Sequence, residues 1–567
     1  MITPIVRAAA ICGLIAPLTF AGGVLGAVPA PSSGPRAAAP VDDRPNIVLV
    51  LVDDLDASLV AQMRHVRRLG ASGVTFDNSF VVDSLCCPSR ASTLTGMFPH
   101  NTGVRLNTSK ANDPEPSGGY AAFQPVEDKS FAVSLHDLGY RTGFMGKYLN
   151  QYPVADGAPL PPGWDQWNAV SGGGYQGWGY AMTTTVGGKQ AGSAKVRTIS
   201  HDGLSDSEYV QTVLGETAVD FIDAAEAKPA PYFLEIAPYA THSRVNKPAH
   251  PDDPKFPPAL QDRPSLEDPD GNCGGRRGAA TDCSRLNVRD LPGFGQPTDD
   301  NRPYSSDGLV QYPGWLPEGE LTRDDIQHLN RNLRNRARMA QSVDRIVRDV
   351  VAASEGEPTY IVFTSDNGFR MGQFRLRHGK GSPYAPDIDV PLIVGGSAVP
   401  PSERGTSRDE VVMNVDLAPT FEDIAGAVQP RPDRDGTSML PLVESGQLVP
   451  WREMAYVEHV KPPSAIADNP DQEGSTNRVP TYWAMRSADA LLVESRLSFT
   501  DVAGQLVSES GFEYYTGLSA QDGYEATNAY DPSDPQVQRM RQALDAFREC
   551  AGESCRAIGI TVVEQAW

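Results

Sequence analysis

The heptapeptide NIVLVLV at Asn46–Val52, followed at once by Asp53-Asp54, decides the fold. An unbroken apolar run rich in β-branched residues reads as a parallel strand buried on both faces, because a half-exposed strand would alternate. Residues 232–236 (YFLEI) and 390–394 (VPLIV) have the same character. Residues 360–363 (YIVF) run straight into Thr364-Ser365-Asp366-Asn367-Gly368. Helical spacing fills the gaps. Residues 207–222 set Val210, Leu214, Ala218 and Phe221 on one stripe. Residues 326–351 carry a seam of Leu329, Leu333, Ala337, Ala340, Val343, Val347 and Val350, at steps of three and four. Strands alternating with helices predict the α/β class, with a large mixed, mostly parallel sheet sandwiched by helices.

The chain has 567 residues, a formal net charge of −22, 40% hydrophobic and 21% charged residues. That length predicts two domains, or one large α/β domain with a smaller companion, and the composition is not that of a disordered chain. Strong acidity without a basic arm argues against nucleic acid as a partner. With 53 Gly and 48 Pro, long ordered loops are expected. Arg7 precedes an apolar run over residues 8–25 that is broken by Gly13, Pro17, Gly22 and Gly23, and a Pro/Ala/Ser linker extends to Pro40. So short and interrupted a run reads as a secretory signal over residues 1–40, an uncleaved anchor being the alternative. The expected protein is secreted, with no stable membrane insertion after cleavage. Cys273 with Cys283, and Cys550 with Cys555, have spacings that fit local disulfides in an oxidising compartment, and the paired C-x-x-C of a zinc site is absent.

A catalytic domain is expected over residues 41–450, with a Pro/Gly-rich insertion at 248–319 over one end of the sheet. Residues 451–567 read as a smaller α+β subdomain. There, residues 454–460, 482–486, 490–494 and 512–516 look like short antiparallel strands. They precede a helix capped by Asp534, with Pro535 at its first position and Val537, Met540, Leu544 and Phe547 as its buried stripe. The basic run Arg331 to Arg338 on the long helix is expected on a solvated face, with a phosphate or sulfate groove as the alternative.

Two of the apolar strands end in oxygen donors, Asp53-Asp54 and Asp366-Asn367. Ligands of open parallel sheets bind beyond the carboxyl ends of the strands. Three carboxylates and an amide converging there make an all-oxygen site for a hard cation, Ca²⁺ or Mg²⁺. Between these pairs in sequence lies Ser84-Leu85-Cys86-Cys87-Pro88-Ser89-Arg90-Ala91-Ser92-Thr93-Leu94-Thr95-Gly96. The residues alone admit a vicinal disulfide, two structural thiols, or a thiolate nucleophile at Cys86 beside Arg90.

This C-x-P-S-R segment resembles the type I sulfatases, whose motif cysteine is oxidised to formylglycine after synthesis. The resemblance extends along almost the whole chain. It takes in Asp53-Asp54, Gly139-Tyr140-Arg141-Thr142 leading to Gly146-Lys147-Tyr148, His242 after the 232–237 strand, and Ser365-Asp366-Asn367-Gly368 ahead of Lys380 and Tyr384. Asn414 to Thr420 and Asp435 to Met439 are similar to later signatures of the family. The wording CCPSRAS-x-LTG, GKYLN and SDNG-x-x-x-GQF is most similar to glucosamine-6-sulfatases and extracellular heparan endosulfatases, as is Leu149 where many arylsulfatases have histidine. Thr93 and Met145 depart from the usual smaller or more apolar residues.

The resemblance implies an alkaline-phosphatase-like fold and hydrolysis of sulfate monoesters, N-acetylglucosamine-6-sulfate among the sugars concerned. It implies Asp53, Asp54, Asp366, Asn367 and the modified Cys86 around one divalent cation, Ca²⁺ first and Mg²⁺ second. Arg90 would orient the hydrated formylglycine, Lys147 and Lys380 would grip sulfate oxygens, and His242 would protonate the leaving alcohol. A formylglycine-generating enzyme is the implied maturation partner. His201, His378 and Asn150 are further candidates for the pocket, whereas residues 172–180 (GGGYQGWGY) read as a flexible turn, with an aromatic surface for a sugar ring as the alternative. Net acidity predicts small or terminal sulfate esters over long polyanions. Two rivals remain: a phosphonate or phosphate ester hydrolase on the same scaffold, and a catalytically silent sulfoglycan-binding protein.

Overall fold

The computed structural model describes residues 42–158, 160–186, 195–245, 248–273, 283–296, 302–316, 319–445, 449–462, 479–501, 503–520 and 523–558. The signal-like segment and its linker lie outside them. Residues 42–567 cluster as one compact unit. Its strands, in chain order, are β1 Asn46–Val52, β2 Val74–Phe80, β3 Arg141–Gly146, β4 Gln166–Ala169, β5 Tyr180–Val186, β6 Lys195–His201, β7 Tyr232–Ala237 and β8 Thr359–Ser365. They continue with β9 Arg370–Met371, β10 His378–Gly379, β11 Leu392–Gly395, β12 Thr406–Met413, β13 Met454–His459, β14 Tyr482–Ser487, β15 Leu491–Thr500 and β16 Leu506–Tyr515.

Eight of these strands form one sheet in the order β12-β2-β11-β8-β1-β7-β3-β4. β1 is central and parallel to both β7 and β8, and β3 continues parallel beyond β7. β11 alone runs against its neighbours β2 and β8. An apolar run therefore reported burial at residues 390–394 but not strand direction. The doubly buried character of β1 is explicit in its packing. Val48, Val50 and Val52 join the core formed with the helices Val210–Glu226 and Arg323–Ala353, while Ile47, Leu49 and Leu51 join the opposite core around Ala91, Phe144 and Phe233. That alternation is the two-residue period of a pleated strand with apolar layers on both sides.

The second sheet is the antiparallel meander β13-β14-β15-β16. β15 and β16 pair over ten positions and are longer than the expected short strands. The helix Pro535–Phe547 is capped by Asp534, whose side chain accepts from Gln536 N, and it buries Val537, Met540, Leu544 and Phe547. These join Phe80, Phe98, Tyr384 and Tyr456 in one core, so the meander packs on the large sheet's side layer. Cys273–Cys283 and Cys550–Cys555 are paired. Cys86 and Cys87 are buried and in no disulfide, which removes the vicinal-disulfide reading.

One sequence expectation fails on the long helix. Arg331 is exposed, but Arg336 and Arg338 are buried, so the basic run is not simply a solvated face. Arg336 donates to the Asp56 carboxylate at 2.7 Å and lies over the Phe369 ring at 4.5 Å. A paired, stacked guanidinium tolerates burial that an isolated one would not.

Candidate active site

Because β1, β3, β7 and β8 run in parallel, their carboxyl ends share one edge of the sheet, and every expected site residue lies just beyond that edge or on the helix facing it. Asp53 and Asp54 follow β1, Lys147 follows β3, His242 lies five residues after β7, and Asp366 and Asn367 follow β8. Asp54 adopts φ 59°, a left-handed conformation that Asp tolerates better than most residues. Backbone bonds from Asp366 N to Val52 O (3.0 Å) and Thr241 N to Asp53 O (2.7 Å) tie the three strand ends together. Ser365 completes the turn by accepting from Leu55 N at 2.9 Å and donating to Val52 O at 3.1 Å.

Cys86 opens the helix Cys86–Thr95, all ten residues of which are buried. The helix starts without a side-chain cap and ends at Gly96, whose φ of 63° suits glycine. Its amino end carries partial positive charge toward the site. Around Cys86 Sγ, Lys380 Nζ stands at 2.7 Å and Asp53 Oδ1 at 3.5 Å. Lys147 Nζ donates to both Asp53 oxygens at 2.8 Å. Lys380 Nζ also reaches Asp54 Oδ1 at 2.5 Å and Asn367 Oδ1 at 3.5 Å. Arg90 Nε donates to Asp366 Oδ2 at 2.8 Å and Arg90 Nη1 to Lys147 O at 2.9 Å, while its Nη2 is buried without a hydrogen-bond partner. His242 Nε2 faces Asp54 Oδ2 at 3.6 Å; its Nδ1 lies 2.6 Å from Ser243 O, so Nδ1 carries the hydrogen.

Three carboxyl groups and three cationic side chains thus meet in a buried pocket. Burial raises the Asp366 carboxyl, but Arg90, Lys147 and Lys380 overcome it and hold the group at about 2. Burial works against the charge on Arg90 and Lys147 too, yet the adjoining carboxylates hold both firmly protonated.

The donors suit a cation. One ligand atom each from Asp53, Asp54, Cys86 and His242 lies within 4.8 Å of the others, and Asp54 Oδ2 is buried with no hydrogen-bond partner. Charge agrees with this, since the pocket's own ions balance and a divalent ion would leave it positive for an anionic substrate.

The structure also brings in residues that the sequence did not flag. Tyr175 packs on His242 at 4.6 Å between ring centroids and lies under Lys147 Nζ at 5.2 Å. It comes from the segment expected to be a flexible turn, which is a buried 3₁₀ turn, Gly172–Gln176. Gly174 there has no room for a Cβ against Tyr239. Arg336 Nη2 donates to Asp54 O and to Thr241 Oγ1 (3.3 Å), bracing the turn after β1. Asn107 accepts from Cys87 N at 2.8 Å. Asn150 touches this shell by accepting from Tyr175 OH at 3.2 Å, whereas His201 is held away by Glu208 at 2.9 Å. Thr93 accepts from Asn414 Nδ2 at 3.0 Å and Met145 fills the core, which explains both departures by packing.

The Sulfatase family profile matches residues 45–427. Human N-acetylglucosamine-6-sulfatase is 30% identical over 548 residues, covering 91% of this chain and 87% of the relative. The chain belongs to the sulfatase family. It is a sulfuric ester hydrolase, and the motifs from Asp53 to Asp435 fall within or just beyond the matched region. A solved complex of a protein with its substrate D-glucosamine-2-N,6-O-disulfate superposes with a TM-score of 0.58 at 20% identity, covering 91% of this chain and 98% of the other. A phosphonate monoester hydrolase from Silicibacter pomeroyi superposes equally well, with a TM-score of 0.58 at 19% identity over 90% and 96% of the two chains. Both confirm the alkaline-phosphatase-like architecture, and the fold alone does not separate the two chemistries.

Proposed function

We propose that this sulfatase hydrolyses sulfate monoesters of sugars, N-acetylglucosamine-6-sulfate foremost, through formylglycine formed from Cys86. The observation that carries the reading is the position of Cys86 Sγ, at the amino end of its helix and in contact with both Lys380 and the carboxylate cluster. Asp53, Asp54, Asp366 and Asn367, with residue 86, would hold a divalent cation, Ca²⁺ first and Mg²⁺ second, both hard ions that take oxygen ligands. When bound, that cation would neutralise sulfate charge and acidify a hydroxyl of the hydrated aldehyde. A geminal diol explains the modification: one hydroxyl attacks sulfur, and loss of the proton from the other expels sulfate and restores the aldehyde.

The chain's own groups supply the rest. Arg90 Nη2 is the donor left to orient the residue-86 hydroxyls, since Nε and Nη1 are committed to Asp366 and Lys147 O. Lys147 and Lys380 bind sulfate oxygens and offset the charge that grows as the S–O bond breaks. With Nδ1–H fixed on Ser243 O, His242 delivers its Nε2 proton to the departing alkoxide. Residues 451–567 would act as a subdomain that packs on Phe98 and His100, just beyond the nucleophile helix. The signal-like residues 1–40 favour a secreted enzyme, and among the described residues no helix is long and apolar enough to cross a membrane. Maturation by a formylglycine-generating enzyme follows from the same reading.

The test is turnover of N-acetylglucosamine-6-sulfate and an aryl sulfate against an aryl phosphonate and an aryl phosphate diester. Faster sulfate release supports the proposal. Faster phosphonate cleavage replaces it with the second reading, a phosphonate or phosphate ester hydrolase on the same scaffold. No turnover of any ester by protein carrying formylglycine would leave the silent binding role.

A further inference from the structure

One buried acid beneath the nucleophile helix takes no part in the chemistry above. Glu235 sits midway along β7, opposite Leu49 of β1 and Phe144 of β3. Phe233 and Ala237, two places to either side, join the core that holds Leu49, Ala91, Phe144 and Tyr148, whereas Leu234 and Ile236 join the other. By the two-residue period of a strand, the Glu235 side chain enters the layer between the sheet and the helix Cys86–Thr95. It is 2% exposed there, and its Oε2 is buried without a hydrogen-bond partner.

Arg90 enters the same layer from that helix. Its Nη1 donates to Lys147 O at 2.9 Å, and Lys147 N donates to Ala237 O at 2.8 Å. The guanidinium is thereby tied to the end of β7, two residues beyond Glu235, or about 7 Å along the strand. Arg90 Nη2 is likewise buried without a partner, so the layer holds an unsatisfied donor and an unsatisfied carboxyl oxygen. Polar groups nearby are committed elsewhere: Tyr148 and Tyr120 donate to Glu127 at 2.9 and 3.2 Å, and Lys147 Nζ lies on Asp53. Burial raises Glu235 to about 7, with Arg90 the charge that opposes it. Burial works against the charge on Arg90, and Asp366, Asp53, Cys86 and then Glu235 restore it. Tyr148 is pushed up by burial, then by Glu127, and less by Glu235. His378, stacked behind Phe369 at 6.2 Å, is pushed down by burial to about 4 and does not change charge near neutrality.

We propose that Glu235 is a positioning residue for Arg90: as a neutral acid it leaves Nη2 to the hydroxyls of residue 86, and as a carboxylate it draws Nη2 to itself and slows the reaction. This rests on residue 86 being the nucleophile and adds to that reading a group that sets its pH response. An ionised carboxyl in so apolar a layer needs a charged donor, and Nη2 is the one nearby with no acceptor of its own. The switch moves one proton, from Glu235 to solvent, and the guanidinium stays charged throughout. Because the acid form predominates below about 7, activity is lost as pH rises through that value.

The experiment follows kcat on an aryl sulfate against pH, for formylglycine-bearing wild type and for Glu235→Gln, a permanent stand-in for the neutral acid. Wild type is expected to turn over about tenfold more slowly at about pH 8 than at about pH 6, as a single group titrating between them requires. At about pH 8 the variant should exceed wild type by several-fold, up to about tenfold, with KM little changed. A gain of this kind cannot come from lost packing. Parallel profiles, or a variant slower than wild type on the alkaline side, overturn the proposal. Infrared difference spectra of resting protein give a second readout that needs no turnover. The band of a buried protonated carboxyl should fade in wild type across the same pH range, and Glu235→Gln should lack that share of it. Identical spectra for the two proteins overturn the proposal as well. Wild type that bears formylglycine yet cleaves no sulfate at any pH would strike the residue-86 reading instead, and the infrared titration then decides the state of Glu235 by itself.

Discussion

Two groups of buried carboxylates, built from the same residue types, do opposite things in this molecule. At the carboxyl edge of the large sheet, Asp53, Asp54 and Asp366 face Arg90, Lys147 and Lys380, and Asp366 is held at about 2. Where β16 packs on the large domain, Glu513 receives hydrogen bonds from Tyr384 (2.8 Å) and Tyr515 (2.7 Å) but faces no such set of cations. Burial pushes it up to about 7 despite those bonds. Asp389 nearby is likewise driven by burial to about 7, with Arg486 opposing. Burial raises Glu513 and Asp389, and it raises Asp53 as well against the pull of Lys147, whereas Arg90, Lys147 and Lys380 together hold Asp366 down. The difference between Asp366 and Glu513 lies in the cations around each carboxyl and not in burial, which both share.

The largest effect should come from the centre of the ionised cluster. Cys86→Ala is expected to lower kcat on aryl sulfate by about 10⁴-fold or more while leaving the melting temperature near that of wild type. Comparable activity in the variant would place the nucleophile elsewhere. Next comes the support beneath that cluster. Arg336→Met removes the donors to Asp54 O and Asp56, and a slightly displaced Asp54 should cost about 10²-fold in kcat with KM nearly unchanged. Calorimetric Ca²⁺ titration should show weakened affinity in the same variant, and unchanged affinity would reduce Arg336 to a packing role.

A smaller effect sharpens the contrast from the other side. Glu513 has a folded value near 7 above its unfolded value of 4.5, so the folded state holds its proton more tightly. Its contribution to stability is complete below about pH 4.5 and disappears as pH rises through about 7, with a size on the order of 3 kcal/mol. Wild-type melting temperature should therefore fall across that window, and Glu513→Gln should flatten the fall. A melting curve that rises with pH across the window in wild type, or falls equally in the variant, would contradict the assignment. The smallest effect is expected at Cys87→Ser. Its neighbour contacts are Asn107 and the Asn150 amide, so most activity should persist.

How far the sequence led can be judged residue by residue. The apolar run of β1 announced a strand buried on both faces, and its two terminal aspartates announced the edge where chemistry occurs. The nine candidate site residues came mostly from the resemblance to the sulfatases, because spacing in sequence does not say that Lys147 and Lys380, from different segments, reach the same carboxylate cluster. Direction was not legible for β11, since a doubly buried strand has the same composition whichever way it runs. Arg336 was hidden for a related reason: in a basic run on an amphipathic helix, only the tertiary partners Asp54, Asp56 and Phe369 distinguish a buried guanidinium from a solvated one. Tyr175 was masked by its glycines, which permit close packing against Tyr239 and do not signal flexibility.

Peptide mass spectrometry across residues 85–90, on protein purified from its own host and assayed for sulfate release, tests the central claim most directly. The account expects residue 86 to appear as formylglycine in a proportion that tracks specific activity. Fully active protein with the Cys86 thiol intact would contradict it.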